Sequence, residues 1–297
     1  MLGGEIAALT AAFLWALSTV IFGRLGKSIS PPVLNLAKGS IAIAFILLTL
    51  LLRPSLEAEL PPTAVFWLLL SGAVGIGLGD TAYFNAINCL GARRALLMES
   101  LAPPLTALIA LLFLGEQLSA IAWGGIFLTV FGVAWVIAER VPGGDPTSGS
   151  TRAGIVWGVL AASGQASGAV MSRGALADSL VDPLWSGLLR IAAGGFVLVG
   201  LISWRGQVGA QLQPLKSRQL LPYLVIAAFL GTYLAIWLQQ ISLKYTLAGI
   251  AQALLATSPL FVLPLAVVLG DRVTGRAVLG VLVAIGGIWL LISTTAS

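Results

Sequence analysis

Apolar stretches of about 20 residues recur ten times along this chain, separated by short polar segments. At about 1.5 Å of rise per helical residue, each can cross a hydrocarbon core of about 30 Å. They lie near residues 4–23, 31–52, 63–86, 95–114, 119–138, 153–172, 183–204, 220–241, 247–269 and 275–293. Only 9% of the residues are charged and the mean hydropathy is +1.02, whereas soluble domains carry about 25% charged residues. So few charges cannot build a water-facing surface, so lipid must cover most of the molecule. An all-α integral membrane protein with ten transmembrane helices is expected.

The only linker-like stretch, ERVPGGDPTSGSTR, divides the chain almost in half. The division predicts a first five-helix repeat over 1–138, a linker over 139–152 and a second repeat over 153–297. The halves match at an offset that only grows. Gly4, Ala11, Ala12 and Ala16 pair with Gly154, Ala161, Ala162 and Ala166 at 150; Pro31 and Lys38 pair with Pro183 and Arg190 at 152. Pro104, Glu116, Gly125 and Gly132 pair with Pro259, Asp271, Gly280 and Gly287 at 155. Small loop insertions in a duplicated chain leave such a drift. Five spans is an odd number, so the second half enters the membrane from the opposite side. Inverted repeats of this kind characterise secondary transporters, which bind substrate between the halves near the midplane.

Several chemistries fall away on composition. Histidine is absent, which removes the usual proton carrier at neutral pH and the commonest metal ligand. Cys89 is the one cysteine, so no internal disulfide forms. No Walker sequence is present to bind ATP, and the residues call for no cofactor or metal. The start, MLGGEIAALT, lacks a basic n-region and runs on as a full span, so it reads as a helix and not a signal peptide. The net charge of +5 is spread over short loops without a basic cluster, which fits membrane orientation and not nucleic-acid binding.

The stretch ISLKYTLAGIAQALLATSPLFVLPLAVVLGDRVTGRAVLGVLVAIGGIWLL is similar to the closing half-repeat of the EamA family in the drug/metabolite transporter (DMT) superfamily. Its first-half counterpart, AINCLGARRALLMESLAPPLTALIALLFLGEQLSAIAWGGIFLTVFGVAWVI, resembles the same pattern. The most specific element is the doubled unit of helix proline, Leu-Gly-acid about ten residues on, and then spaced glycines. The resemblance implies a ten-helix carrier of small metabolites, often an exporter of amino acids or related compounds. The first half departs in its double proline, Pro103-Pro104, and in Lys38 where the second half has Arg190.

Residues 77–80 read Gly-Leu-Gly-Asp, a run that intramembrane aspartyl proteases also carry. Such an enzyme needs two carboxylates side by side, and Asp80 has no second membrane aspartate: Asp145, Asp178 and Asp182 fall in connecting segments and Asp271 ends the ninth span. Gly75, Gly77 and Gly79 are better explained by close helix packing. Ala235 stands at the second-half position matching Asp80.

Five ionisable residues lie within spans: Glu5, Lys38, Asp80, Glu99 and Arg190. An ionised side chain at the bilayer centre costs about 2.5–3.5 kcal/mol on insertion scales, so each is expected to face the bundle interior or a partner. Glu5 is close enough to the chain start to reach the interface. Lys38, Asp80 and Glu99 count to comparable depth from one side, so Lys38 is expected to pair with Asp80 or Glu99; Asp80 can equally reach Arg93 or Arg94. Arg190 has no membrane acid in its own half. It is free to grip a substrate carboxylate or phosphate with its planar fork, or to bond Gln239, Gln240, Gln252 or backbone carbonyls and hold the fold.

Trp15, Tyr83, Tyr233 and Trp237 fall inside spans, and Gln165 matches Trp15, so these are candidate cavity residues. Trp67, Trp123, Trp185 and Trp204 near span ends read as interfacial anchors. Glu116 and Asp271, at the ends of the fourth and ninth spans, are expected to cap the helix that follows.

Together these features predict a secondary transporter, an exporter by resemblance, that moves a small polar or amphipathic metabolite by alternating access. The candidate substrate-binding residues are Arg190, Lys38, Trp15, Gln165, Tyr83, Tyr233, Trp237 and Gln239, with Glu99 and Asp80 as proton-coupling candidates. The expected partners are a small-molecule substrate, membrane lipid and, as a homodimer, a second copy of the chain; the expected location is a bacterial inner membrane. The rival classes are a membrane-embedded enzyme, short of a paired catalytic set, and a structural subunit without transport. Basic residues number eleven on odd-numbered loops against three on even-numbered ones. Basic loops prefer the cytoplasm, which puts both termini outside, whereas the family resemblance implies cytoplasmic termini.

Overall fold

The computed structural model describes residues 3–25, 29–53, 60–138, 150–204, 217, 219–268 and 275–296. Within them every regular element is a helix. Nine are long and apolar enough to cross a membrane. In chain order the first three spans are Gly3–Leu25, Pro31–Leu52 and Pro62–Leu90; the fourth comprises Ala92–Glu99 and Ala102–Leu114, and the fifth is Ala120–Ala138. The sixth to eighth are Thr151–Leu176, Pro183–Trp204 and Leu221–Tyr245; the ninth comprises Ala248–Leu255 and Ser258–Val268, and the tenth is Gly275–Ala296. The third and eighth spans end four residues later than hydropathy suggests, because the helix runs on through residues 87–90 and 242–245.

Proline explains the two breaks. Its ring clashes with the carbonyl four residues earlier and it lacks an N–H. Pro103 therefore interrupts the fourth span after Glu99, and Pro259 interrupts the ninth after Leu255. A second matched irregularity lies in the third and eighth spans, which loosen into π-helix over Gly72–Gly79 and Phe229–Leu234. Paired interruptions in corresponding positions of inverted repeats point to the transport path, and π segments gather at functional sites.

The repeats interlock. The first span packs along the eighth and ninth, while the sixth packs along the third and fourth. Small residues set both contacts: Gly4 lies against Thr246 and Gly154 against Leu90. The fifth and tenth spans pair through the glycines that match at an offset of 155. A methyl group on Gly132 would come 2.6 Å from the Gly280 carbonyl, and one on Gly125 would come 3.1 Å from that of Gly287.

Two expectations need correction. Glu5 does not open onto the surface: it is 3% exposed, with Oε2 buried and unbonded, because the first span is wedged between the eighth and ninth. Glu116 does not cap the following helix. Ser119 does so, its hydroxyl accepting from the N–H of Ala122 at 3.1 Å, while Glu116 reaches the start of the ninth span, where it accepts from the N–H of Ala248 at 2.8 Å. Asp271, its counterpart, lies outside the described residues, as does Arg93's side chain; Arg94 is exposed.

Candidate functional site

A cavity of about 470 Å³ opens between the interlocked bundles. Trp15 lines it from the first span, Asn35 and Lys38 from the second, and Asp80 from the third. Gln165 comes from the sixth span, Arg190 from the seventh, and Gln239 from the eighth. The two π stretches border it through Ile76, Gly231 and Thr232.

The glycines beside Asp80 position Arg190. A β-carbon at Gly72 would fall on the backbone of Arg190, and one at Gly194 would sit 2.6 Å from Ile76. The third and seventh spans therefore touch backbone to backbone. A β-carbon on Gly75 would lie 3.6 Å from both Arg190 Nη2 and the Gly168 Cα. Arg190 is left only 2% exposed, and its Nε and Nη1 have no hydrogen-bond partner. A buried guanidinium is costly unless paired, and these free donors belong to a side chain that lines the cavity.

Asp80 is held by amides. Asn35 Nδ2 donates to its Oδ2 at 2.9 Å and Gln165 Nε2 to its Oδ1 at 3.5 Å. The expected ion pair of Lys38 with Asp80 or Glu99 is not formed: among the described residues the one salt bridge is Arg173 to Glu116. Equal depth does not mean equal azimuth. Lys38 turns toward the ring of Phe22, its Nζ 5.9 Å from the centroid, and Asn35, one turn earlier on the same helix, takes the carboxylate. Two cations and one carboxylate thus face the same cavity without neutralising one another in direct pairs.

Four candidates are not among the lining residues. Tyr233 packs in tilted ring contacts against Phe45, Phe229 and Trp237, and its hydroxyl shares a 2.7 Å hydrogen bond with Thr49. Tyr83 packs beside Phe84. Glu99 sits at the break in the fourth span, with its Oε1 buried and unbonded. Trp15, by contrast, both lines the cavity and donates its Nε1–H to the carbonyl of Gly231 at 2.8 Å.

Gln240 and Gln252 do not line the cavity and are not bonded to Arg190. Gln240 Oε1 instead accepts from the hydroxyls of Ser172 and Ser186, the latter at 2.8 Å. This buried layer ties the sixth, seventh and eighth spans together beside the cavity. Asn35, Ser40 and Thr232 are the polar lining residues that sequence reasoning missed.

The comparisons with known proteins agree with this architecture. A protein of known crystal structure superposes with a TM-score of 0.80 over 97% of this chain and 94% of its own, at 18% identity, which speaks for the fold alone. An uncharacterised protein of Pseudomonas aeruginosa is 31% identical over 140 residues, 47% of each chain. An uncharacterised transporter of Vibrio cholerae is 27% identical over 135 residues, 44% of each. The matched region thus spans about half the length of these curated relatives. The EamA-like transporter family model matches residues 2–138 and 152–293. Proteins of that family are transporters, which points away from an enzyme. The chain is a multi-pass integral membrane protein and belongs to the EamA-like transporter family.

Proposed function

We propose that the protein is a secondary carrier that exports a small polar or amphipathic metabolite bearing an anionic group, such as an amino acid or related compound. The observation that carries this reading is Arg190: its unbonded Nε and Nη1 belong to a side chain that lines a cavity between two interlocked bundles. A carboxylate or phosphate meets a guanidinium through two parallel charge-assisted bonds, from Nη2 together with either Nε or Nη1. Lys38 adds positive charge, Gln165 and Gln239 offer amides, and Trp15 offers an apolar face. Tyr83, Tyr233 and Trp237 act behind that wall. A counterflow screen in proteoliposomes tests the reading, using carboxylate- and phosphate-bearing metabolites beside their neutral analogues. Anionic members should be carried in preference. Equal flux of a neutral analogue would remove the role given to Arg190.

Asp80 is the better proton-coupling candidate of the two acids because it faces the cavity, whereas Glu99 does not line it. Asp80→Asn should uncouple flux from an imposed proton gradient, and Glu99→Gln should have the smaller effect. Flux that ignores the gradient in the parent protein would exclude proton coupling through either.

For orientation we follow the charges and place both termini outside, in a bacterial inner membrane. Of the three basic residues assigned to the termini-bearing side, Arg173 and Lys244 are bonded to protein groups, which leaves Arg53 exposed. A reporter fused after Ser297 that is active only in the cytoplasm would reverse the assignment and favour the orientation usual in the family.

A further inference from the structure

The salt bridge between Arg173 and Glu116 takes no part in the cavity lining and lies at the membrane face that bears both termini. The fourth, sixth and eighth spans end there and the ninth begins there. Gly115, with φ +66°, turns the chain after the fourth span and delivers Glu116 back toward its neighbours. Glu116 Oε1 accepts from Arg173 Nε at 2.6 Å, within the bundle of third, fourth and sixth spans. The remaining bonds of the pair leave that bundle. Arg173 Nη1 donates to the carbonyls of Leu243 and Lys244 at 3.0 and 2.6 Å, and Glu116 Oε2 accepts from the N–H of Ala248 at 2.8 Å.

The residues gripped, 243–248, are the turn that joins the eighth span to the ninth. Its two helix ends expose unbonded backbone groups of opposite polarity: carbonyls where the eighth span stops and N–H groups where the ninth starts. Cations favour the first and anions the second. One ion pair held on the opposing bundle satisfies both ends at once. An isolated structural cap needs one charge on one end. This arrangement instead sits across the seam that alternating access has to open, and the Ser172–Gln240–Ser186 layer crosses the same seam.

We propose that Glu116 and Arg173 form a latch that holds the carrier closed on its termini-bearing side. Opening there releases three backbone hydrogen bonds from the 243–248 turn, while the ion pair itself stays intact on its own bundle. This inference rests on the carrier reading, and its test uses no substrate.

Nitroxide labels on Ile6→Cys and Phe113→Cys, in a Cys89→Ser background, place one probe on each bundle near that face. Ile6 and Phe113 are 61% and 79% exposed and take no part in the latch. Pulsed dipolar spectroscopy on the otherwise unaltered protein should give one dominant short distance. Glu116→Gln removes the charge, and Arg173→Lys keeps the charge but loses the fork that spans two carbonyls. Each should add a longer distance and raise the open-to-closed ratio about tenfold. An unchanged distance distribution in a folded variant overturns the latch, even where its melting temperature falls, since that pattern marks a cap alone. Should Glu116→Gln fail to fold, Arg173→Lys decides. Failure of the carrier reading would show separately, as absence of flux in the metabolite screen.

Discussion

Replacing Arg190 with alanine is expected to lower flux of an anionic substrate by about 100-fold or more while the protein stays folded. Hydrogen bonds to a charged group contribute about 1.5–3 kcal/mol each. Losing a two-bond fork therefore removes roughly 3–6 kcal/mol, of which 2.7 kcal/mol already corresponds to about 100-fold. Arg190→Lys keeps a charge without the planar fork, and an intermediate loss of about tenfold is expected. The stability prediction runs the other way. Nε and Nη1 of Arg190 have no partner in the fold and Arg190 forms no direct ion pair, so removing the side chain takes away a buried charge, while Asp80 across the cavity keeps its bonds from Asn35 and Gln165. The melting temperature should hold or rise. A purely structural Arg190 predicts the reverse pattern, normal flux with a lower melting temperature. Counterflow of an anionic substrate together with thermal denaturation separates the two, and normal flux through folded Arg190→Ala would end the assignment.

The features that hydropathy and duplication made legible are those that depend on position along an axis. Span count, the break between halves and the depth of Lys38, Asp80 and Arg190 all follow from counting residues. The contacts of Gly132 with Gly280 and of Gly125 with Gly287 join residues that are not counterparts in the repeat, so the matched glycines marked the two helices without naming the pairs. Azimuth was not legible. Tyr83 and Trp237 follow the two π stretches, and each extra residue per turn rotates what comes after it relative to an α-helical count. Asp80 and Gln239, which follow the same stretches, face the cavity, while the two aromatics are not on its wall. Glu116 failed for a different reason: an acid at a helix end signals capping, but which helix it caps depends on what tertiary packing brings near. Asn35 was invisible because a lone amide in an apolar span has no distinguishing pattern until its partner, Asp80, is opposite it.

Gly72→Ala is expected to be among the most damaging single-methyl changes in the molecule, and Gly124→Ala among the most harmless. Both glycines sit inside transmembrane helices, where alanine is intrinsically favoured by about 0.8–1.0 kcal/mol. At Gly124 nothing lies within 4 Å of the added methyl, so that preference should appear as unchanged or slightly raised stability. At Gly72 the methyl falls on the carbonyl, Cα and carbonyl carbon of Arg190. Backbone on both sides cannot rotate away as a side chain does, so the third and seventh spans must separate. Overpacking typically costs about 1–3 kcal/mol, and backbone against backbone belongs at or above the top of that range. The displacement also carries Arg190 and Asp80 apart across the cavity, because each sits on one of the two helices. Folded Gly72→Ala protein should therefore be scarce, and what is recovered should carry substrate poorly. Thermal denaturation and yield of monodisperse protein for the two variants, compared side by side, test this. If Gly72→Ala melts with the parent protein, the third and seventh spans do not meet as closely as the geometry of Arg190 requires.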